Sequence, residues 1–118
     1  SSILIFSLKA VCEFLKINTK IVVSSEISKD NDLRGEDKIL KICKILNTNV
    51  YVNPIGGIEL YNKDFFLKEN VVLHFIKSNE IKYKQYNDNF TPWLSIIDIL
   101  MFNSVNDIQK ILNNYNLV

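Results

Sequence analysis

The sequence is poor in the residues that mark specialised protein classes. Its 118 residues include three glycines, two prolines and two cysteines. So little glycine and proline excludes collagen-like and low-complexity chains. Two cysteines are too few for the disulfide framework of a small secreted protein. A chain of this length has room for one hydrophobic core, so residues 1–118 are expected to form a single domain.

The sequence also lacks a charge excess and a long apolar run. Fourteen basic and thirteen acidic residues give a net charge of +1, which offers no electrostatic basis for binding nucleic acid. No apolar run approaches the ~18 residues that a membrane span needs. The apolar opening Ile3–Phe6 has no basic residues before it, so it does not resemble a signal peptide. We therefore expect a cytoplasmic protein with neither a nucleic-acid partner nor a membrane span.

Apolar residues make up 47% of the chain, and their spacing predicts alternating helices and strands. Helices are predicted over residues 3–15, 36–46, 93–102 and 104–115, with a short one after Asn62, and strands over 20–23, 49–52 and 71–76. This order indicates an α/β fold: a three-layer, mostly parallel sheet with helical crossovers and a C-terminal helical pair. Three strands are few, so we expect part of a larger fold, completed by a partner chain or a missing N-terminal part.

The helix ends carry recognisable signals. Asn62 is a predicted N-cap, and Thr91 followed by Pro92 predicts the start of the 93–102 helix. Ser104 and Asp107 resemble a capping box that opens the last helix.

The two cysteines do not form a metal or redox motif. Cys12 and Cys43 are far apart in the sequence and lie on the apolar faces of two predicted helices. Both are expected to be free thiols in a reduced core. No metal site is predicted, and the sequence leaves the cofactor unknown.

Two polar loops follow predicted strands. Ser24 and Ser25 follow the first strand, and Asn53, Gly56 and Gly57 follow the second. Open parallel sheets bind ligands at the carboxyl ends of their strands, so Ser25 and Gly56 are expected at one sheet edge. Two alternatives stand for the glycine pair: an anion-binding nest of backbone N–H groups, or a tight turn.

A polar and aromatic cluster lies near the C-terminus. It contains Tyr83, Gln85, Trp93, Ser95 and Asp98, with Ser95 and Asp98 on one face of an apolar helix. A buried carboxylate must find hydrogen-bond donors. Asp98 is therefore expected to be largely buried and to accept hydrogen bonds from Ser95, Tyr83, Gln85 or nearby backbone. Its role is either structural or that of orienting a substrate.

Several stretches in order resemble the WbqC-like protein family. The longest runs from Tyr83 to Asn103 and reads Y-x-Q-(x4)-F-x-P-x-L-S-I-I-D-x-L-x-F-N. The others are Ser24–Glu26, Arg34–Glu36 with the I-L-K-I-C-K helix, and Y-V-N-P-I-G-G-I-E-L-Y over Tyr51–Tyr61. Family members are longer at the N-terminus, so the resemblance implies that this chain corresponds to their C-terminal half.

The resemblance implies a bacterial protein of surface polysaccharide (O-antigen) biosynthesis. It further implies acyl or aminoacyl (glycine) transfer to a sugar, which would make the chain a transferase. No pair of nucleophile and base is evident, so a second interpretation stays open. In that interpretation the chain is a noncatalytic module that binds a nucleotide-sugar or acts as a scaffold. The expected partner in both is a nucleotide-sugar or another small-molecule substrate.

Overall fold

The computed structural model describes residues 2–27 and 32–118. The chain divides into two compact units, one of residues 1–21 and 78–115 and one of residues 22–77 and 116–118. The single-domain organisation stays a prediction, and each unit is described by itself below. No helix in the described ranges is long and apolar enough to cross a membrane.

The structure contains five helices and three strands among the described residues. The helices are α1 (Ser2–Phe14), α2 (Gly35–Ile45), α3 (Lys63–Lys68), α4 (Ile96–Phe102) and α5 (Val105–Leu112). The strands are β1 (Val50–Pro54), β2 (Val72–Ser78) and β3 (Tyr115–Leu117), and they form one sheet in that order. Two 3-10 turns cover Ser24–Glu26 and Ile55–Gly57.

The sheet is built on one parallel pair. β1 and β2 pair in a register that places Val50 beside Val72 and Tyr51 beside Leu73. Because side chains alternate along a strand, this register fixes two faces. Tyr51, Leu73 and Phe75 lie on one face, and the valines at 50, 52 and 72 lie on the other.

One face of the sheet carries the core of its unit. The buried cluster joins α2, α3 and β2 and consists of Leu40, Cys43, Phe66, Val71, Leu73 and Phe75. Phe66 is fully buried. Its ring stacks on that of Tyr51 at 5.8 Å between centroids and meets Tyr61 edge to face at 6.1 Å. Aromatic pairs of this geometry stabilise beyond the area that they bury.

The other unit has its own small core. Leu15, which directly follows α1, and Ile108 of α5 are both almost fully buried. The Gln109 side chain donates from Nε2 to the Leu15 carbonyl oxygen at 2.9 Å, and this bond satisfies a carbonyl near the C-terminal end of α1.

The strand predicted at residues 20–23 is wrong. Within residues 2–27 and 32–118, Lys20–Val23 pairs with no other strand and has no regular structure. The third strand is instead β3, whose Tyr115 was predicted to end the last helix. Phe75 and Val118 exchange two backbone hydrogen bonds of 2.8 Å, which is the antiparallel pattern. A short β-branched run forms a strand only where a second strand lies beside it to pair with. The local sequence does not show whether such a partner is present.

The predicted start of the 93–102 helix is also wrong. α4 begins at Ile96, and Ser95 is its N-cap. Trp93 has φ of 59°, a left-handed conformation that breaks a helix. The caps at Asn62 and Ser104 are confirmed: Asn62 accepts from the N–H groups of Asp64 and Phe65, and Ser104 accepts from that of Asp107.

The mixed α/β class is confirmed, and both cysteines are free thiols as predicted. The mostly parallel sheet is not observed, because one strand pair is parallel and the other antiparallel. The three-layer arrangement is not confirmed, since the valines of the second sheet face are 42–47% exposed.

Phe66 offers a test of the core. Phe66→Ala should lower the free energy of unfolding by about 3–5 kcal/mol, because it removes a fully buried ring and leaves a cavity. The neighbouring Phe65 is 36% exposed, so Phe65→Ala is a matched control with a clearly smaller loss. Urea unfolding followed by circular dichroism measures both. Equal losses would contradict the core assignment.

Candidate functional site

The predicted loop site does not assemble as expected. Ser24 and Ser25 lie in an exposed 3-10 turn, and no strand precedes it. The expectation that Ser25 and Gly56 share a sheet edge therefore loses its basis, because it required a strand at residues 20–23. Asn53 was predicted to follow the second strand but lies inside β1, which ends at Pro54, and Gly56 and Gly57 lie in the turn that follows.

The glycine pair forms a tight turn with close packing. Gly57 is buried, and a Cβ there would overlap the Asn53 side-chain oxygen. The Asn53 amide in turn donates to the Tyr51 hydroxyl at 2.6 Å. Neither glycine has a positive φ, so the turn lacks the left-handed residue of an αR–αL nest. This geometry favours the turn alternative.

The Arg34–Glu36 stretch of the family pattern also has a structural role. Gly35 has φ of 56° at the start of α2, which glycine adopts without a Cβ penalty. The Glu36 carboxylate accepts the Asn62 backbone N–H at 2.6 Å. It therefore ties the first turn of α2 to the N-cap of α3.

Three of the predicted site residues do come together. Asp98 Oδ2 accepts a hydrogen bond from the Tyr83 hydroxyl at 2.5 Å and one from Gln85 Nε2 at 3.0 Å. Gln85 also binds Thr91 twice, donating to its carbonyl oxygen and accepting its N–H. We call Tyr83, Gln85 and Asp98 the YQD network. Its two bonds to a carboxylate are of the strong, charge-assisted kind.

Local capping explains how Asp98 is presented. The Ser95 hydroxyl accepts the Ile97 N–H at 3.2 Å, and the Asp98 N–H donates to the Ser95 carbonyl. Asp98 thus lies in the first turn of α4, where a negative charge is favourable. The Ser95 hydroxyl, one of the alternative donors predicted for Asp98, is observed only as the N-cap acceptor of the Ile97 N–H. Asp98 is half-buried rather than largely buried, and its predicted partners Tyr83 and Gln85 are confirmed.

The network holds the Tyr83 phenol in its neutral form. Burial of the phenol, followed by its hydrogen bond to Asp98, raises the pKa of Tyr83 above its usual range. A raised pKa means that the phenolate is scarcer at neutral pH, so Tyr83 acts as a hydrogen-bond donor. Among the described residues, no group of three His, Cys, Asp or Glu side chains is placed to hold a metal ion.

Exposed aromatic rings lie beside the network in the sequence. Trp93 is 70% exposed, and Tyr86 is 89% exposed although its ring meets that of Phe102 at 4.8 Å. A non-glycine residue in the left-handed region costs on the order of 1–2 kcal/mol. Strain of this kind is found preferentially at functional sites, so Trp93, a member of the predicted cluster, is kept in the candidate site.

A groove of about 560 Å³ lies on the same unit. It is lined by Glu80, Ile81, Lys82, Lys110, Ile111, Asn113 and Asn114. Lys82 adjoins Tyr83 in the chain, so the groove and the YQD network share one segment. The groove was not predicted from the sequence, because its lining comes from two segments, 80–82 and 110–114, that only the fold brings together.

The turn at residues 55–57 can be tested with its two glycines. Gly57→Ala should cost about 1–3 kcal/mol of stability, because the new Cβ displaces the Asn53 amide from Tyr51. Gly56 has open space around its Cβ position, so Gly56→Ala should change stability by less than about 1 kcal/mol. Thermal denaturation compares them. A Gly56→Ala loss as large as that of Gly57→Ala would contradict the packing role.

The YQD network has an internal control in the next helix. Asp107 occupies the same position after Ser104 that Asp98 occupies after Ser95, but its side chain is exposed. Both Asp→Asn changes remove a carboxylate from a first helical turn, worth about 0.3–1 kcal/mol. Asp98→Asn should cost about 1–3 kcal/mol more, since it also weakens two charge-assisted bonds. Equal losses in urea unfolding would mean that the network contributes nothing to stability.

The comparisons with known proteins give one result. No curated protein and no solved structure matches the chain. The model of the WbqC-like protein family matches residues 1–110, a range that includes the 3-10 turns, the YQD network and most of α5. The chain therefore belongs to the WbqC-like protein family.

Proposed function

We propose that this WbqC-like chain acts in bacterial surface polysaccharide biosynthesis by binding a nucleotide-sugar at the YQD network. The observation that carries the proposal is the half-buried Asp98 carboxylate, which accepts hydrogen bonds from Tyr83 and Gln85. The chain segment between these residues also carries the exposed, strained Trp93. The polysaccharide context comes from the family resemblance.

The chemistry of the network suits a sugar. Both hydrogen bonds to Asp98 reach Oδ2, which leaves Oδ1 to accept from a ligand hydroxyl. Sugar hydroxyl groups are donors, and the C–H faces of sugar rings are apolar. An aromatic ring with a few convergent polar groups is the usual composition of a small-molecule site. Trp93 offers the ring and Asp98 the acceptor.

The groove supports the nucleotide half of the ligand. Lys82 and Lys110 line it together with the side-chain amides of Asn113 and Asn114. Ammonium groups bind phosphate as point charges, and amide N–H groups add hydrogen bonds. Glu80 also lines the groove and opposes an anion, so we assign the diphosphate to the lysine side.

The geometry favours binding over catalysis. Covalent acyl transfer needs a nucleophile that an adjacent base activates. In the YQD network the phenol donates to a carboxylate, and its raised pKa keeps it protonated. The network therefore supports the orientation of a sugar acceptor. Acyl or aminoacyl transfer, which the resemblance implies, would require a nucleophile or an acyl donor from outside the network.

The single tryptophan makes the proposal testable, because all tryptophan fluorescence comes from Trp93. Titration with a UDP-sugar should change this fluorescence saturably. UDP alone and the free sugar should each bind more weakly, since each fills one half of the site. Asp98→Asn should raise the Kd about tenfold or more, equivalent to a lost charge-assisted hydrogen bond.

Two variants separate binding from folding. Asp107→Asn is the matched control and should leave the Kd unchanged. Trp93→Asn, followed by calorimetry, should abolish binding while keeping or raising stability, because asparagine tolerates the left-handed region. The absence of saturable binding by any nucleotide-sugar, or equal Kd values for the two aspartate variants, would contradict the proposal.

A further inference from the structure

The Gln85 side chain binds the backbone of Thr91 in the way that one strand binds another. Its Oε1 accepts the Thr91 N–H at 2.9 Å, and its Nε2 donates to the Thr91 carbonyl oxygen at 3.1 Å. The same Nε2 donates to Asp98 Oδ2 at 3.0 Å. A side-chain amide has two N–H donors, so both donors of Gln85 are engaged. We call the two bonds between Gln85 and Thr91 the amide clip.

Asp98 determines which way round the Gln85 amide lies. An ionised carboxylate only accepts hydrogen bonds, so the Gln85 atom that faces it must be Nε2. With Nε2 on Asp98, Oε1 is left to accept the Thr91 N–H. A flipped amide would set oxygen against the carboxylate and N–H against the Thr91 N–H. The carboxylate therefore fixes the polarity that the clip needs.

The clip and the cap of α4 hold the two ends of a short backbone segment. Thr91 is held by the clip at one end, and Ser95 is held as the N-cap at the other. Between them, Pro92 has a φ fixed at about −65° by its ring, and Trp93 takes a φ of 59°. The left-handed region is unfavourable for a residue with a Cβ. Such a conformation persists where the surrounding structure holds it.

We propose that Gln85 is a positioning residue that transmits the orientation set by Asp98 to the backbone of Trp93. The part of this inference that concerns binding rests on the proposed function. Gln85 holds the ring that stacks on the sugar, while its own amide is fully occupied by Thr91 and Asp98. The two Asp98 oxygens then have separate tasks: Oδ2 orients Gln85, and Oδ1 accepts from the ligand. Breaking the clip weakens binding without removing any ligand contact.

Relaxation measurements on the ¹⁵N-labelled chain test the clip without a ligand. The order parameter of the Trp93 backbone amide should be about 0.85 in the wild-type chain and fall below about 0.6 in Gln85→Leu. Gln109→Leu is the matched control, because Gln109 also donates to a backbone carbonyl, that of Leu15 in the same unit. It should lower stability and leave the Trp93 order parameter unchanged.

An exchange of the two side-chain types separates positioning from ligand contact. Gln85→Glu alone sets a second carboxylate against Asp98, and like charges repel, so Trp93 should become mobile. Adding Asp98→Asn restores a hydrogen bond between an amide and a carboxylate with donor and acceptor reversed. The carboxylate at position 85 still accepts the Thr91 N–H, so the order parameter should return towards the wild-type value. Ligand binding should stay weak, because position 98 no longer carries the carboxylate.

Calorimetric titration with UDP-glucose and UDP-N-acetylglucosamine measures the link to binding. Gln85→Leu should raise the Kd about threefold to tenfold, the range expected when one hydrogen bond no longer holds the site in place. Gln109→Leu should leave the Kd unchanged. If neither UDP-sugar binds the wild-type chain, the proposed function is contradicted, and the relaxation data still decide whether Gln85 positions Trp93.

Four results would overturn the inference. The first is a Trp93 amide that is as rigid in Gln85→Leu as in the wild-type chain, and the second is an equal loosening by Gln109→Leu. The third is an exchange variant that is no more rigid at Trp93 than Gln85→Glu, a comparison that does not require Gln85→Leu to fold. The fourth is an unchanged Kd in a Gln85→Leu chain whose Trp93 has become mobile.

Discussion

The parallel register of β1 and β2 is the constraint on which the packing of residues 22–77 depends. Pairing Tyr51 with Leu73 puts the Tyr51 ring on the core face, where it stacks on Phe66. The same register places the Asn53 side chain on that face, where its amide donates a hydrogen bond to the Tyr51 hydroxyl. Gly57 must then lack a side chain, because a Cβ would occupy the place of the Asn53 oxygen. A slip of one residue would expose all these groups together.

Those elements whose signals are local could be predicted from the sequence. Asn62 and Ser104 cap helices because an oxygen two or three residues away meets a free N–H, which needs no tertiary information. β2 follows from a nearly continuous apolar run. Lys20–Val23 has the composition of a strand but no partner, whereas Tyr115–Leu117 pairs because β2 lies beside it. Partner availability is a tertiary property, so the sequence did not report it.

The candidate site, too, could be predicted from the sequence only in part. The contact of Asp98 with Tyr83 and Gln85 was predictable, since a carboxylate in an apolar helix must find donors. The start of α4 was not, because Thr91 and Pro92 form a good local signal that Ser95 overrides. Both Gln85 bonds to Thr91 engage its backbone. Those bonds are made across a loop and leave no pattern in the sequence.

The two roles considered for Asp98, structural and ligand-binding, are compatible. The Trp93 side chain is mostly exposed, so its burial contributes little to stability, whereas its left-handed backbone conformation is unfavourable. Its conformation must be held from both sides. Gln85 holds Thr91 on one side, and the Ser95 cap fixes the helix start on the other. Because Asp98 orients Gln85, its structural role is to help hold the Trp93 backbone in the conformation that exposes the ring. Losing Asp98 would therefore weaken folding, and under the proposed function ligand binding as well, through one set of hydrogen bonds.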